Sequence, residues 1–354
     1  MAEEERIVNA TDLILVTGAA GFIGARVVCS LLDKGFLNIT CMDRHSSNTS
    51  RLSESINSHG GAKKARIFLG NLLSRTDCTN AAKDAVLIYH LAAGTDTKEF
   101  SEAYLNSVVT TRNLLDAAIE QKCLKRFVSM SSFSAYTNRK KPRWRLLDES
   151  CPVEAHPESR AEAYCFGKVK QDELVIEYGK RFGIPWVLLR PGTVYGPGKR
   201  AIPGRVGIDT FGLFLHLGGT NRIPFTYVDN CADAIVMAGL EPGIEGEVFN
   251  LVDDDLPSSR RFLRLYKRNV RKFRSIYVPH ALSYLFCQIW EMYSKWSNGQ
   301  LPPVFTRREW SAYWKKTRYS NRKIKEVVAW SPRVSTAEGL RRFFESCKEG
   351  KIGT

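Results

Sequence analysis

The chain has 354 residues, 44% of them apolar and 25% charged, a balance that excludes a disordered or fibrous protein and leaves room for a real core. Its nine cysteines are scattered without a Cys-x-x-Cys pair and its six histidines are dispersed, so neither a disulfide framework nor a metal centre is expected. The net charge of +15 is concentrated: from Arg260 to Thr354 there are 22 Lys and Arg against 6 Asp and Glu, whereas the first 259 residues sum to −1.

In chain order, Met1-Ala-Glu-Glu-Glu-Arg6 is polar and acidic and lacks the character of a secretory leader, so a cytoplasmic protein is expected, with membrane association as an alternative. An apolar run, Leu13 to Val16, reads as a buried parallel strand. Thr17-Gly18 breaks it into a turn, and Gly21 and Gly24 open a helix-like segment to Leu32. Glycines at such a turn let the backbone approach a pyrophosphate, and the helix start offers unpaired N–H groups and a positive dipole end. A second strand, Ile39 to Met42, ends in Asp43, nineteen positions after Gly24, where a carboxylate accepts hydrogen bonds from an adenosine ribose. A dinucleotide site is expected. NAD is favoured over NADP because Asp43 repels a 2′-phosphate, which the adjacent Arg44 only partly accommodates.

Arg44 to Lys64 reads as loop and short helix, followed by a third strand, Ala65 to Leu69, and Gly70-Asn71. A fourth strand, Ala85 to His90, runs into Leu91-Ala-Ala-Gly94. Tyr104 to Glu120 has a helical pattern with Val108, Leu115 and Ile119 on one face, and Arg126 to Met130 is a fifth strand. After a proline-punctuated stretch come a helix, Ala163 to Phe182, and a sixth strand, Pro185 to Arg190, ending in Pro191-Gly-Thr-Val-Tyr-Gly-Pro-Gly198. This alternation predicts an α/β protein with a doubly wound parallel sheet of the Rossmann kind, whose ligands sit at the carboxyl edge. Beyond it, Tyr227-Val-Asp229 opens an alanine-rich helix and Glu247 to Val252 returns as a strand. From Pro257 the chain is helical and basic, ending in Ala337 to Ser346. The expected division is an NAD-binding domain from 1–190 with 226–252, and a smaller, mostly helical substrate domain from 191–225 and 253–354. The basic third can face a nucleotide diphosphate, an anionic lipid surface or solvent, and no nucleic-acid motif accompanies it. Within it, Ala281 to Trp296 is apolar and aromatic but too short and polar to span a bilayer. A buried helix is the first expectation there, an interfacial helix beside basic residues the alternative.

Tyr164 and Lys168 lie four apart on a predicted helix and share a face. A free phenol titrates near pH ~10, and a neighbouring ammonium stabilises the phenolate. Lowering that value by roughly three units corresponds to about 4 kcal/mol, available only in a dry, preorganised site. Ser132, just past the fifth strand, can hydrogen-bond a substrate oxygen that gains or loses a proton, although Ser129, Ser131 and Ser134 compete for that role.

Together, Thr17-Gly-x-x-Gly-x-x-Gly24, Asp43, His90-Leu-Ala-Ala93, Ser132, Tyr164-x-x-x-Lys168 and Arg190-Pro-Gly-x-x-Tyr-Gly-Pro197 resemble the extended short-chain dehydrogenase/reductases. More narrowly they resemble the NAD-dependent epimerase/dehydratase branch, with its UDP-glucose 4-epimerases and 3β-hydroxysteroid dehydrogenase relatives. The tail from Tyr319-Ser-Asn-Arg-Lys323 through Trp330-Ser-Pro332 to Glu338-Gly-Leu340 is similar as well, so the likeness spans nearly the whole chain. It implies Ser132, Tyr164 and Lys168 as catalytic residues, Tyr164 being the acid/base and Lys168 lowering its pKa and holding the nicotinamide ribose. It implies cofactor contacts at Gly18, Gly21, Phe22, Ile23, Gly24, Asp43, Arg44, Asn71, Leu72, Leu91, Ala92, Ala93, Pro191 and Val194. Asn71 stands where relatives carry Asp, Ser107 where they carry Asn, and Thr110 where they carry Gly. Phe133-Ser134 follow Ser132 where sugar-nucleotide dehydratases carry Asp-Glu, which disfavours a 4,6-dehydratase. The implied activity is NAD-dependent epimerisation or oxidation of a nucleotide sugar, with Arg205, Arg222 and Arg260 as candidate diphosphate contacts or plain surface residues. The alternatives are oxidation of a sterol or lipid alcohol, and a non-catalytic cofactor-binding scaffold. A homodimer is implied by the resemblance alone.

Overall fold

The computed structural model describes residues 6–44, 47–94, 99–138, 142–160, 162–199, 201–210, 212–297 and 306–348. Seven parallel strands form the centre: β1 (Leu13–Thr17), β2 (Ile39–Asp43), β3 (Ala65–Leu69), β4 (Ala85–His90), β5 (Arg126–Met130), β6 (Trp186–Pro191) and β7 (Glu247–Leu251). Their spatial order is β7-β6-β5-β4-β1-β2-β3, so the winding reverses between β1 and β4, and the crevice opens above the carboxyl ends of those two strands. β1 and β5 are buried at every position, as the unbroken apolar runs of a parallel strand covered on both faces require.

Helices α1 (Gly24–Asp33), α2 (Ser47–Ser58), α3 (Arg75–Ala82), α4 (Thr110–Ile119), α5 (Ala163–Phe182) and α6 (Val228–Leu240) cover the sheet. Val27, Leu31, Leu52, Ile56 and Ile235 of α1, α2 and α6 share one core with the sheet. Cys78, Ala81, Leu114, Leu115, Leu174 and Val175 of α3, α4 and α5 build the other. Helix α5 stops at Gly183, which takes the left-handed conformation (φ 71°) that a glycine adopts without strain.

The helix expected over Tyr104 to Glu120 is interrupted: Tyr104–Val109 is a π-helical turn, preceded by a short α-turn (Phe100–Ala103) and followed by α4. The wider turn inserts chain without advancing the α-helical period, so the face read from sequence does not continue. Val108 and Leu115 are buried, but Ile119 is exposed.

Past β7 the chain forms α7 (Ser259–Asn269), α8 (His280–Trp296), α9 (Arg307–Tyr313), α10 (Arg322–Val327) and α11 (Thr336–Lys348). An aromatic core of Tyr195, Phe225, Phe262, Tyr266, Phe343 and Phe344 ties α7 and α11 to the segments after β6. Short strands Gly207–Thr210, Leu213–His216 and Ser275–Tyr277 form a separate small sheet, too brief to carry a readable period.

Helix α8 forms where expected, but the expectation that it is buried is overturned. It buries Ser283, Cys287 and Ser294 while Leu282, Leu285, Ile289, Met292 and Trp296 face outward. Cys287 packs with Leu217, Trp310 and Trp314, and the Trp310 indole donates to the Ser283 hydroxyl (2.9 Å). Among the described residues, no helix is long and apolar enough to cross a membrane, and no cluster of three or more His, Cys, Asp or Glu could hold a metal.

Candidate active site

The turn after β1 is built from backbone. Gly18 has φ 68°, and a Cβ there would lie 2.9 Å from the Ala92 backbone, so the turn and the segment after β4 lie in close contact. A Cβ on Gly24 would sit 2.1 Å from the Gly18 carbonyl oxygen, which leaves glycine as the residue that fits. Helix α1 begins without a side-chain cap and without an acidic residue in its first turn, so its N-terminal N–H groups and dipole suit an anion. The Asp43 carboxylate accepts from Ala20 N (2.7 Å) and Arg44 N (2.8 Å), which holds it against this turn. These features fit a dinucleotide pyrophosphate and ribose. Ile23 is the N-cap of α1, and the Phe22 ring lies beneath Arg26 (5.1 Å) and Lys199 (5.4 Å).

The Asn71 side-chain oxygen accepts from Leu73 N (3.0 Å), so part of its accepting capacity serves the local turn. Asn113 of α4 donates to Leu72 O (2.9 Å) and Leu73 O (3.1 Å), fixing that loop. Leu91, Ala92 and Ala93 follow β4 half-buried, with Leu91 N donating to Thr17 O (3.3 Å). Pro191 closes β6, and Val194 lies on a short strand (Thr193–Tyr195) paired with Phe225–Tyr227.

The serines after β5 are separated by their partners. The Ser131 hydroxyl donates to Asp172 (2.8 Å), while the buried hydroxyls of Ser129 and Ser134 find no hydrogen-bond partner among the described residues. Ser132 caps the turn that follows by accepting from Ser134 N (3.1 Å). Burial pushes the Tyr164 phenol above its usual value, and the nearby Ser132 hydroxyl only partly offsets this. The Lys168 ammonium is directed elsewhere, donating to Met130 O and to Gln171 Oε1 (2.9 Å), and burial brings its own pKa down to about 8.

Lys168 stands at the end of a buried chain of hydrogen bonds that sequence reading missed. Thr111 Oγ1 donates to Ser107 O, so it accepts from Gln171 Nε2 (2.9 Å) and from His90 Nε2 (2.8 Å). That polarity leaves His90 Nδ1 to accept from the Thr17 hydroxyl (2.8 Å) and aims Gln171 Oε1 at Lys168. Burial first, and the Lys168 charge second, hold the His90 pKa near 3, so the ring is neutral. Ser107, at the position where the resemblance implied Asn, contributes its carbonyl to this chain and faces Gly167 of α5. Beside it, Asp172 pairs with Arg190 (2.9 Å), both almost fully buried. The only available signal was spacing: Gln171 and Asp172 lie three and four residues after Lys168, on its side of the helix.

Past Ser132 the loop borders a cavity lined by Phe133, Tyr136, Arg160, Arg205, Tyr313 and Tyr319. Tyr319 stacks on Phe133 (5.6 Å, 9° between planes). Arg205 donates to Ala312 O (2.8 Å) and the Tyr319 hydroxyl (3.3 Å), so of the three candidate arginines it is the one at this cavity. Arg222 is exposed and donates to Leu256 O (2.6 Å), and Arg260 is exposed over the Tyr277 ring (5.2 Å).

A parallel sheet of this order with a glycine turn at its switch point defines a dinucleotide-binding class of protein. The model of the NAD dependent epimerase/dehydratase family matches residues 14–251, and the chain belongs to that family of enzymes. A 3beta-hydroxysteroid-dehydrogenase/decarboxylase of Arabidopsis thaliana is 24% identical, covering 94% of this chain and 79% of the relative. A UDP-N-acetyl-alpha-D-glucosaminuronate decarboxylase of Bacillus cytotoxicus is 23% identical over 68% of this chain and 75% of its own. Among solved structures, a UDP-glucuronic acid 4-epimerase from Bacillus cereus in complex with NAD matches with a TM-score of 0.70 and 24% identity, covering 95% of this chain and 99% of its own.

Proposed function

We propose that the protein interconverts a secondary alcohol and a ketone by reversible hydride transfer, using NAD and acting on a nucleotide sugar as an epimerase or oxidoreductase. The observation that carries this reading is the placement of Tyr164 and Lys168 in the first turns of α5, with the Lys168 ammonium held at Met130 O at the end of β5, on the same carboxyl edge of the sheet that carries the glycine turn after β1. In this reading Ser132 holds the reacting oxygen and Tyr164 moves its proton. A phenol raised by burial is protonated at neutral pH, which suits donation to a ketone oxygen; the reverse step needs added positive charge. NAD supplies the hydride acceptor and, when oxidised, a positive charge that favours the phenolate. Lys168, with two of its protons held by Met130 and Gln171, keeps one N–H for the cofactor ribose or the phenol.

Asp43, clamped against the turn, supports NAD rather than NADP. Arg205 among the rings of Phe133, Tyr313 and Tyr319 gives the cavity beyond Ser132 a stacking surface with one cation, Arg160 there being paired with Glu162, which suits an anionic ring-bearing substrate, and residues 191–225 and 253–354 are taken as the substrate-binding part. Phe133 and Ser134 supply no acid–base pair for dehydration. A second reading, oxidation of a sterol or lipid alcohol, is favoured by the hydroxysteroid relative matching 94% of the chain and by the outward apolar face of α8. Peripheral contact with a membrane and a homodimer complete the proposal.

The test is absorbance at the reduced-nicotinamide band with NAD and a panel of UDP-sugars, GDP-sugars and hydroxysteroids, followed by product analysis. A new sugar epimer without net reduction, or net reduction with a sugar nucleotide, supports the first reading. Net reduction with hydroxysteroids alone replaces it with the second.

A further inference from the structure

We propose that α8 and the basic segment before it form a docking surface for an anionic lipid bilayer. This names the surface and the lipid charge for the membrane contact proposed above, and it does not depend on the hydride-transfer reading.

The helix is amphipathic in the wrong direction for a globular protein. Leu282, Leu285, Ile289, Met292 and Trp296 recur every three or four residues and so line one side of the helix, with exposures of 57%, 50%, 56%, 64% and 78%. The opposite side, carrying Ser283 and Cys287, is already sealed against Trp310 and Trp314. Just upstream, Ile276 and Tyr277 are also exposed, at 54% and 43%. Scattered exposed apolar side chains need no explanation, but a stripe along the fifteen residues from Leu282 to Trp296 marks a surface that something covers.

The charge around the stripe selects the occupant. Between positions 256 and 290 there are eight Lys and Arg and no Asp or Glu. Arg268, Arg271, Lys272 and Arg274 are exposed immediately before the strand that carries Ile276 and Tyr277. At the start of the helix, burial first and then the Lys316 and Arg143 charges disfavour protonation of His280, so basic residues continue the rim there. Trp144, 44% exposed, lies under the Lys316 ammonium (4.9 Å). The one carboxylate on the helix, Glu291, pairs with Arg307 (2.8 Å). A second copy of this surface would bring two basic rims together, whereas anionic headgroups neutralise them while the acyl region takes the stripe. Tyr and Trp at the rim and end of the stripe suit the boundary between those layers. A helix of 17 residues, about 25 Å long, lies in the interface plane.

The experiment is flotation of the full chain with vesicles of phosphatidylcholine alone or mixed with phosphatidylserine, at low and high salt. The expected result is flotation with the mixed vesicles, weakened by salt and small with phosphatidylcholine alone. The double variant Ile289→Glu/Met292→Glu is expected to lose more than about tenfold in partitioning. Arg271→Glu/Lys272→Glu is expected to lose about fivefold per basic residue removed, and only on the anionic vesicles. All these residues are exposed, and an unchanged thermal melt of each variant checks its fold. No flotation with mixed vesicles, or equal flotation with both kinds, overturns the proposal. So does a dimer that Ile289→Glu dissociates while no vesicle is bound, since a second copy would then cover the stripe. NAD titration of the same samples reports separately on the cofactor reading.

Discussion

Helices α5 and α8 both break the rule that polar residues face water and apolar ones face the core, and they break it in opposite directions. α5 turns Lys168, Gln171 and Asp172 inward. Each finds a partner from another element: Met130 for the ammonium, Thr111 for the amide, Arg190 and Ser131 for the carboxylate. Buried polar groups are tolerable when they are paired in this way, and they fix a single arrangement of the groups around Tyr164. α8 turns its apolar residues outward, and the described residues offer no such cover. The lesson is that an inverted helix face points to a role, and the presence or absence of internal partners says whether that role lies inside the molecule or on its surface.

The sharpest way to break this contrast is at α5. Replacing Tyr164 with Phe removes the proposed proton carrier, and turnover on the substrate found by the panel is expected to fall about 10²–10⁴-fold. NAD affinity, read by direct titration, is expected to stay close to wild type. Full activity in this variant would falsify the proposed role of Tyr164.

Next in size is Asp172→Ala. It leaves Arg190 buried without its counter-charge, at a cost of about 3–5 kcal/mol in denaturant unfolding. A loss below 1 kcal/mol would mean that water reaches the pair and that α5 is not closed as described.

His90 gives a smaller, pH-dependent effect. Its pKa lies near 3 in the folded protein against an ordinary 6.5, so the unfolded chain takes up the proton first as pH falls. Its contribution is therefore complete above about pH 6.5 and is lost progressively toward pH 3. In His90→Gln, whatever its absolute stability, the fall of unfolding free energy over that range is expected to be shallower. An unchanged slope would show that His90 is not held neutral.

The smallest effect is expected at α8. Ile289→Ser removes an exposed side chain and is expected to shift stability by less than about 0.5 kcal/mol. A loss of 2 kcal/mol or more would show that Ile289 is packed within the protein, and the contrast with α5 would collapse.

Much of the sheet was readable because parallel strands buried on both faces are short unbroken apolar runs: β1 to β5 appear within a residue of their expected limits. Gly18, Gly24 and Asp43 were readable for a related reason, since backbone approach and a strand-end carboxylate are local demands. Ser132 was not separable from its neighbours by sequence, because the choice depends on Asp172, about forty residues away, taking the Ser131 hydroxyl. The π-turn at Tyr104–Val109 and the outward Ile119 escaped because a period of 3.6 assumes an uninterrupted helix. Four-residue spacing places Lys168 on the same face as Tyr164 but says nothing of the acceptors, Met130 and Gln171, that its ammonium meets.

The sequence by itself determined the winding of the sheet, the glycine turn, the family and the list of residues able to move a proton. These rest on local periodicity, backbone freedom and side-chain chemistry, which belong to short stretches of chain. Only the tertiary structure decided which serine hydroxyl Asp172 takes, which groups hold Lys168, and which face of α8 looks outward. Those outcomes depend on burial and on partners far apart in sequence, and the free energy of a charge, a hydrogen bond or an apolar side chain is set by what surrounds it.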